Sequence, residues 1–512
     1  MSVSEKTIMK PVITIPEPAM VKMDSNTSPT SSEVTLTNEE RGDIEKFGHR
    51  TMDSVDSGST QVEIDLEAQT PLPEKQFLAG LRYSIFTIYR RLFSLVFLAN
   101  IGVFVYVMLA DRKLIALVNA TAANLLACGL ARQPLVVNSI FYLVCSIPRS
   151  APITLRRLAA QVYHYGGVHS GCGVAALVWY LGFVGFMSYQ YWTPSPTSAS
   201  AVSISAAPVA VAYVIMVLLL AIVVVAHPTF RTKFHDYFEL IHRFSGWLVV
   251  ALFVVLLMLF SKEISSAEQT PLGYFLIQLP AFWFLMVTVV AIIQPWLMLR
   301  KVPVRAENLS NHAVRLHFDH AQTAFGKGIQ LAKHPLRDWH GFATFPDPTP
   351  MGTRGTPSFS TLVSKAGDWT ADSISQPPTH FWKRGVLIFG FAYAMRVFKR
   401  VIVVTTGSGI GPCLSFLGDE NRPALRVMWQ TRSPVKTYGH EVLRLVSQMD
   451  ECPIILDTNQ TGRIDMIPII ARQFKEFNAE AVCIVSNPVL TTRMVHELES
   501  RGFPAFGPIF DS

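Results

Sequence analysis

Residues 405–413 read TTGSGIGPC and follow the apolar run VIVV at 401–404. Gly407, Gly409 and Gly411, closed by Pro412, would let a chain leaving a strand turn tightly and bring its backbone against a pyrophosphate. A helix opening there would add unpaired N–H groups and the positive end of its dipole. A second constellation lies in WQTRSPVKTYG at 429–439. Thr431 supplies a hydroxyl, Arg432 a guanidinium suited to paired phosphate bonds, Lys436 an ammonium and Tyr438 a phenol. That set suits a ribose 2′-phosphate, and so NADPH ahead of NADH. Each motif also has a bland reading, since glycine turns close strands in many α/β domains and charged loops often open helices.

Holding these residues together calls for a parallel sheet. Beyond 398, strands expected at 401–404, 425–429, 454–456 and 481–485 alternate with helices at 439–449, 464–477 and 490–501, the pattern of a sheet with crossover helices. Between 302 and 384, the segments VRLHF, GFATF and FSTLVSKAG read as short strands of a small β-barrel. Upstream, 92–110, 114–130, 171–190, 208–226, 244–260 and 273–299 are apolar runs near the ~20 residues that a helix needs to cross a bilayer. Asn119 and Asn124 interrupt the second run, and the neighbouring 134–148 either spans in its place or lies in the interface.

Composition agrees with a membrane protein: half of the 512 residues are hydrophobic, only 16% are charged, and mean hydropathy is +0.32. The net charge of +7 is uneven, because residues 1–76 hold twice as many acidic as basic side chains. Arg82, Arg90 and Arg91 precede the first run, and Arg149, Arg156 and Arg157 the third. Arg231, Lys233 and Arg243 separate the fourth from the fifth, and Arg300, Lys301 and Arg305 follow the last, whereas TPSPTSASAVSISAA at 193–207 carries no charge. By the positive-inside rule the chain is an integral, multi-pass membrane protein with both termini cytoplasmic. No basic stripe interleaved with aromatics points to nucleic acid. The six cysteines show neither C-x-x-C nor zinc spacing and are expected as free, buried thiols. The polar, acidic segment 1–76 is expected as a disordered tail with no cleavable signal, leaving the first apolar run to direct insertion.

Five ordered features make 302–512 resemble the ferredoxin–NADP reductase superfamily, in the membrane-attached branch of ferric reductases and NADPH oxidases. They are GDWT at 367–370, the turn at 407–412, WQTRSP at 429–434, TGRID at 461–465 and the strand leading to SNP at 486–488. With VYHYGGVHSGCG at 162–173, FELIHRFSGW at 238–247 and the ending AFGPIFDS, the chain after the tail is similar to the fungal TmpA-like integral membrane proteins. That resemblance implies a fungal flavoprotein oxidoreductase linked to developmental signalling, conidiation or secondary metabolism.

Carried onto WHGFATF, the resemblance sets His340 near the flavin phosphates and Phe342 beside the isoalloxazine, with Ala343 at the hydroxyl position and Thr344 one place late. It sets Gly390 at a glycine contact to the FAD pyrophosphate, though FGFAYA has lost the usual Gly-Pro-aromatic-Gly form. Ser486 stands where the superfamily often has a cysteine beside the nicotinamide, and Phe506 or Phe510 would cover the flavin ring. Electron transfer across the bilayer in that branch uses two stacked haems. Here His164, His169, His227, His235 and His242 all fall on the cytoplasmic side, so a two-haem wire is not expected. His169 and His242 are the pair left for a single inner haem.

The resulting expectation is a multi-domain chain: a tail at 1–76, an all-α transmembrane bundle of about six spans at 77–300, a flavin-binding β-barrel at 301–398 and a parallel α/β NAD(P)-binding domain at 399–512. FAD and NADPH or NADH are the expected cofactors, haem is not, and the expected partners are the lipid bilayer, the nicotinamide nucleotide and an unknown small hydrophobic acceptor. Two rival functions stand beside this oxidoreductase: transmembrane electron transfer of the ferric-reductase or NADPH-oxidase kind, and nucleotide sensing by a degenerate enzyme.

Overall fold

A computed structural model describes residues 71–110, 114–193, 204–347 and 358–508. The expected tail, apart from 71–76, lies outside the described residues, as does most of the uncharged loop at 193–207. The apolar runs fold as α1 (Ile88–Ala110), α2 (Leu114–Leu130), α3 (Pro134–Cys145), α4 (Ile153–Ala159), α5 (Gly166–Trp192), α6 (Ala206–Val225), α7 (Pro228–Lys233), α8 (His235–Ala267), α9 (Leu272–Gln278) and α10 (Pro280–Leu297). Five of them, α1, α5, α6, α8 and α10, are long and apolar enough to cross a bilayer, and α2 with α3, bent by 74°, is a sixth candidate. The run at 273–299 divides at Pro280, so its long helix starts later than expected.

Small residues set the helix packing. A Cβ on Gly167 would stand 2.7 Å from the Tyr89 carbonyl oxygen, and one on Gly171 would stand 3.1 Å from that of Phe93. Thus α1 and α5 run side by side in the same direction, backbone against backbone. Asn119 and Asn124, which weakened the reading of α2, are its interior hydrogen bonds: Asn124 donates to Asn100 Oδ1 at 2.8 Å, and Asn119 accepts the Ala281 N–H opening α10 at 2.9 Å. Trp179 Nε1 donates to the same Asn100 oxygen at 3.0 Å. Contacts Cys128 to His169, Gly129 to Thr288 and Ser205 to Glu263 fix the remaining directions. The starts of α1, α5 and α8 share one end of the bundle with the ends of α2, α6 and α10.

From that end the chain enters β1 (Arg300–Pro303), β2 (Arg305–Asn308), β3 (Ala313–Phe318), β4 (Lys327–Ala332), β5 (His340–Ala343), β6 (Phe345–Pro346), β7 (Phe359–Ser364), α11 (Asp368–Ser375), β8 (His380–Lys383) and β9 (Ile388–Phe389). What was expected as a β-barrel is, among the described residues, two antiparallel sheets: β1-β8-β4-β5 with β9 on β4, and β2-β3-β7-β6. Val302, Ile329 and Phe381 of the first meet Leu316, Phe318 and Phe359 of the second in one core.

The last part comprises α12 (Phe391–Ala394), β10 (Arg400–Thr406), α13 (Ile410–Cys413), β11 (Ala424–Thr431), α14 (Pro434–Met449), β12 (Ile454–Asp457), α15 (Thr458–Thr461), α16 (Ile467–Glu476), β13 (Ala481–Val485), α17 (Pro488–Ser500) and β14 (Ala505–Phe506). Its strands form one sheet in the order β12-β11-β10-β13-β14, parallel throughout. The carboxyl ends of β10 and β13 therefore lie side by side where the winding reverses, the place at which open α/β sheets bind ligands.

Arginines fasten this module to the helices, and an asparagine fastens the two-sheet part. Arg156, 5% exposed, donates to both Glu480 carboxylate oxygens at 2.7 and 2.9 Å and to the Val397 carbonyl at 3.2 Å. Arg149 donates to the Arg396 carbonyl at 2.9 Å. On α3, Asn138 donates to the Leu387 carbonyl at 2.9 Å and accepts the Phe389 N–H at 2.7 Å. So α3 bends away from the bundle to grip β9. All six cysteines are free, with Cys145, Cys172, Cys413 and Cys483 buried, but Cys452 is exposed, contrary to the expectation.

Candidate functional site

The three turn glycines answer to three different constraints. Gly407 has φ +49°, a left-handed backbone, with open space where a Cβ would point. Gly409 passes so close to β13 that a Cβ would meet the Val485 carbonyl oxygen at 2.3 Å and Thr405 Oγ1 at 2.5 Å. Gly411 lies against Leu362 of β7, bringing the turn onto the two-sheet module. Trp429 Nε1 donates to the Gly407 carbonyl at 3.0 Å and ties β11 to the turn. Ser408 and Pro412 are exposed. The expected helix after the turn is a correction: 407–409 and 414–418 are tight 3-10 segments, and α13 between them is one turn long.

Beside the turn, Ser486 Oγ and Thr406 Oγ1 share a hydrogen bond across the ends of β13 and β10. The Ser486 N–H donates to Thr491 Oγ1 at 3.0 Å. This hydroxyl pair, of which sequence reading found one half, is half-buried at the sheet's centre. Phe506 is buried in β14, 5.4 Å from Phe398, and so is not an open face for a ring. Phe510 lies outside the described residues.

The 2′-phosphate constellation is only partly exposed. Arg432 and Lys436 face solvent, Arg432 Nε donating to Asn459 Oδ1 at 3.1 Å. Thr431 and Tyr438 are buried at 4% and 1% exposure, which corrects their expected ligand role. Tyr438 packs 5.1 Å from Trp429, and burial pushes its phenol up to about 12. Arg463, quoted only within TGRID, is exposed as well.

The flavin constellation is rearranged. His340 and Phe342 alternate along β5 onto one face, where both meet Trp369 of α11, at 4.3 and 5.7 Å between ring centres. Trp369 was visible in GDWT as a mark of resemblance, without a role. Burial holds His340 below the ordinary imidazole value, and its Nε2 is buried without a partner among the described residues. Thr344, in contrast, is fully buried and its hydroxyl donates to the Lys327 carbonyl at 2.9 Å while bonding Thr323. It turns away from any ring on Phe342. The Gly390 N–H donates to the Gly326 carbonyl at 2.8 Å, and a Cβ there would meet only ordinary contact at 3.6 Å. Neither Thr344 nor Gly390 is placed to hold a flavin, whereas the orphaned His340 nitrogen and the aromatic face fit its phosphate and ring.

Two further histidine groups are present. His169 and His242 stand 6.1 Å apart between ring centres at the module end of the bundle, with His169 Nδ1 3.0 Å from the Cys128 carbonyl. His164, His227 and His235 lie at the same end, leaving the other half of every candidate span without an imidazole. In the second sheet, Asp347 and Ser360 both bond the same nitrogen, His317 Nδ1. Ser360 Oγ also donates to Asp347 at 3.0 Å, Arg315 donates to the other Asp347 oxygen at 3.1 Å, and His317 Nε2 lies 3.1 Å from Glu307, so the group is an ion-pair network within the sheet.

Residues 391–512 match the family described as Adenylate-forming reductase 03009, C-terminal domain. Two Coprinopsis cinerea proteins, Adenylate-forming reductase 03009 and Adenylate-forming reductase 06235, are 39% and 37% identical to this chain over 446 and 448 residues. Each alignment takes in 86% of this chain and 42% of the relative. Among solved structures, ferredoxin-NADP+ reductase from Plasmodium falciparum aligns over 42% of this chain and 96% of its own, at 12% identity and TM-score 0.30. Flavohemoglobin from Malassezia yamatoensis with bound FAD and heme aligns over 76% and 98%, at 12% identity and TM-score 0.36. The chain spans 42% of the length of the curated relatives it matches.

Proposed function

We propose that the chain is a membrane-anchored oxidoreductase that takes reducing equivalents from NADPH through a flavin and delivers them to a small acceptor at the membrane face. One observation carries the reading: the open glycine turn and the Ser486–Thr406 hydroxyl pair stand at the reversal of a parallel sheet, with Gly411 pressed onto the module that bears His340, Phe342 and Trp369. In this reading Gly407 and Gly409 admit the pyrophosphate, and Arg432 with Lys436 hold the 2′-phosphate. Ser486 orients the nicotinamide, His340 holds a flavin phosphate, and Phe342 with Trp369 offers one aromatic face to the ring. A bound flavin supplies the hydride acceptor, while the chain supplies binding and orientation.

The word reductase in the Coprinopsis relatives supports this assignment, and the resemblance to ferredoxin–NADP reductases supports the cofactor pair. Basic loops at the module end of the bundle support six spans with cytoplasmic termini, and the division at 76, 300 and 398 is kept as the proposed domain plan. Transmembrane electron transfer is disfavoured because the imidazoles crowd one end of the spans. A fungal developmental or biosynthetic role follows only from the TmpA-like resemblance.

The inward Thr344 and the engaged Gly390 N–H favour a second reading, a nucleotide sensor without flavin chemistry. The visible spectrum of detergent-purified full-length protein, before and after anaerobic NADPH, separates the two. Flavin bands that bleach are expected. A colourless preparation that binds NADPH and stays colourless after incubation with FAD would overturn the oxidoreductase in favour of the sensor.

A further inference from the structure

A cavity of about 550 Å³ lies where the start of α1, the segment leading into α5 and helix α17 converge. Arg91, Arg157, His164 and His496 line it, against Glu499 as the single carboxylate among its described lining residues. Arg157 makes no ion pair among the described residues, and its Nε is buried without a hydrogen-bond partner, as is His496 Nε2. A buried donor without an acceptor costs about 1–3 kcal/mol, so the lining is matched to an oxygen-rich anion. The cavity also opens beside Ile88, the first residue of α1, whose face away from α5 is apolar. Leu95, Leu98 and Leu109 are exposed on α1.

We propose that this cavity takes the phosphate of a membrane phospholipid, held by Arg157 and His496, with its acyl chains along the outer face of α1. The lipid then bridges the bundle and α17 of the reductase module. This rests on reading the helices as a bilayer anchor, and the exposed apolar face of α1 is what selects a lipid over free phosphate.

The test uses full-length, delipidated protein in detergent, titrated with dioctanoyl phosphatidate or inorganic phosphate while thermal unfolding is followed. Phosphatidate should raise the melting temperature saturably, and Arg157→Gln should bind it about tenfold more weakly, the loss of one charge-assisted hydrogen bond. Should Arg157→Gln fail to fold, His496→Gln must show a weakening in the same direction. Equal affinity of wild type and variant, or protection by inorganic phosphate at the same concentrations, would overturn the proposal. Protein that leaves membranes without detergent would overturn the anchor itself, a separate result from anchored protein that ignores phosphatidate.

Discussion

At the scale of single residues, a glycine is informative only with its surroundings. Gly407 and Gly409 look alike in TTGSGIGP, yet one needs a left-handed backbone and the other needs the absence of a side chain. For Gly409→Ala, the new methyl would collide with a strand carbonyl and a buried hydroxyl at 2.3 and 2.5 Å, neither of which can retreat without breaking the β10–β13 edge. The expected loss is about 3 kcal/mol of stability. Gly407→Ala places its methyl in open space and meets only the left-handed backbone cost of about 1 kcal/mol. Melting temperatures should fall further for Gly409→Ala than for Gly407→Ala, and the reverse order would contradict the close approach of turn and strand. The same distinction explains why the candidate site was half legible. Arg432 and Lys436 were proposed from charge and spacing and Ser486 from the superfamily resemblance, and all three stay accessible or half-buried, but burial of Thr431 and Tyr438 and the inward turn of Thr344 depend on neighbours far away in sequence.

At the scale of elements, the contact between α1 and α5 depends on Gly167 and Gly171, four residues apart on one helical face. Gly167→Val should force the helices apart, because the obstacle at 2.7 Å is the Tyr89 carbonyl, itself fixed in the first turn of α1. Gly185→Ala, on the same helix with nothing within 4 Å of its Cβ, should be neutral or slightly stabilising through helix propensity. Thermal unfolding in detergent would show this contrast, and equal effects would argue against tight α1–α5 packing. Most elements could be located from periodicity: β13 was expected at 481–485 and occupies those residues, and the long apolar helices overlap the expected runs. Periodicity missed elements whose geometry answers to tertiary contact. In α2, Asn119 and Asn124 resembled interruptions because their partners, Asn100 and Ala281, sit on other helices. The segment after the glycine turn is broken into short pieces where 414–418 presses against the chain at 324–325.

At the scale of the whole molecule, the bidentate contact of Arg156 with Glu480 determines how the module sits on the helices. Burial alone would raise the Glu480 carboxyl, but the hydrogen bonds from Arg156 and the Lys399 N–H outweigh it and hold it below the ordinary value. With the folded value below the unfolded one, its stabilisation is complete above the unfolded carboxylate range, near pH 4.3, and is lost as pH falls through the folded value. The dock should therefore be intact at neutral pH and loosen in acid. Glu480→Gln removes the charge and leaves Arg156 buried, an expected cost of about 3 kcal/mol. Hydrogen exchange should then quicken in α4 and in 396–399, the two faces of the contact, while β10, β11 and β13 keep their protection. In the proposed function, transfer from NADPH to a soluble artificial acceptor should survive this variant, whereas transfer to a membrane-held acceptor should fall, because only the second needs the module at a fixed height above the bilayer. Exchange that rises throughout the parallel sheet would mean instead that Glu480 supports the fold of the nucleotide domain, and the orientation of the module would then rest on Asn138 and Arg149.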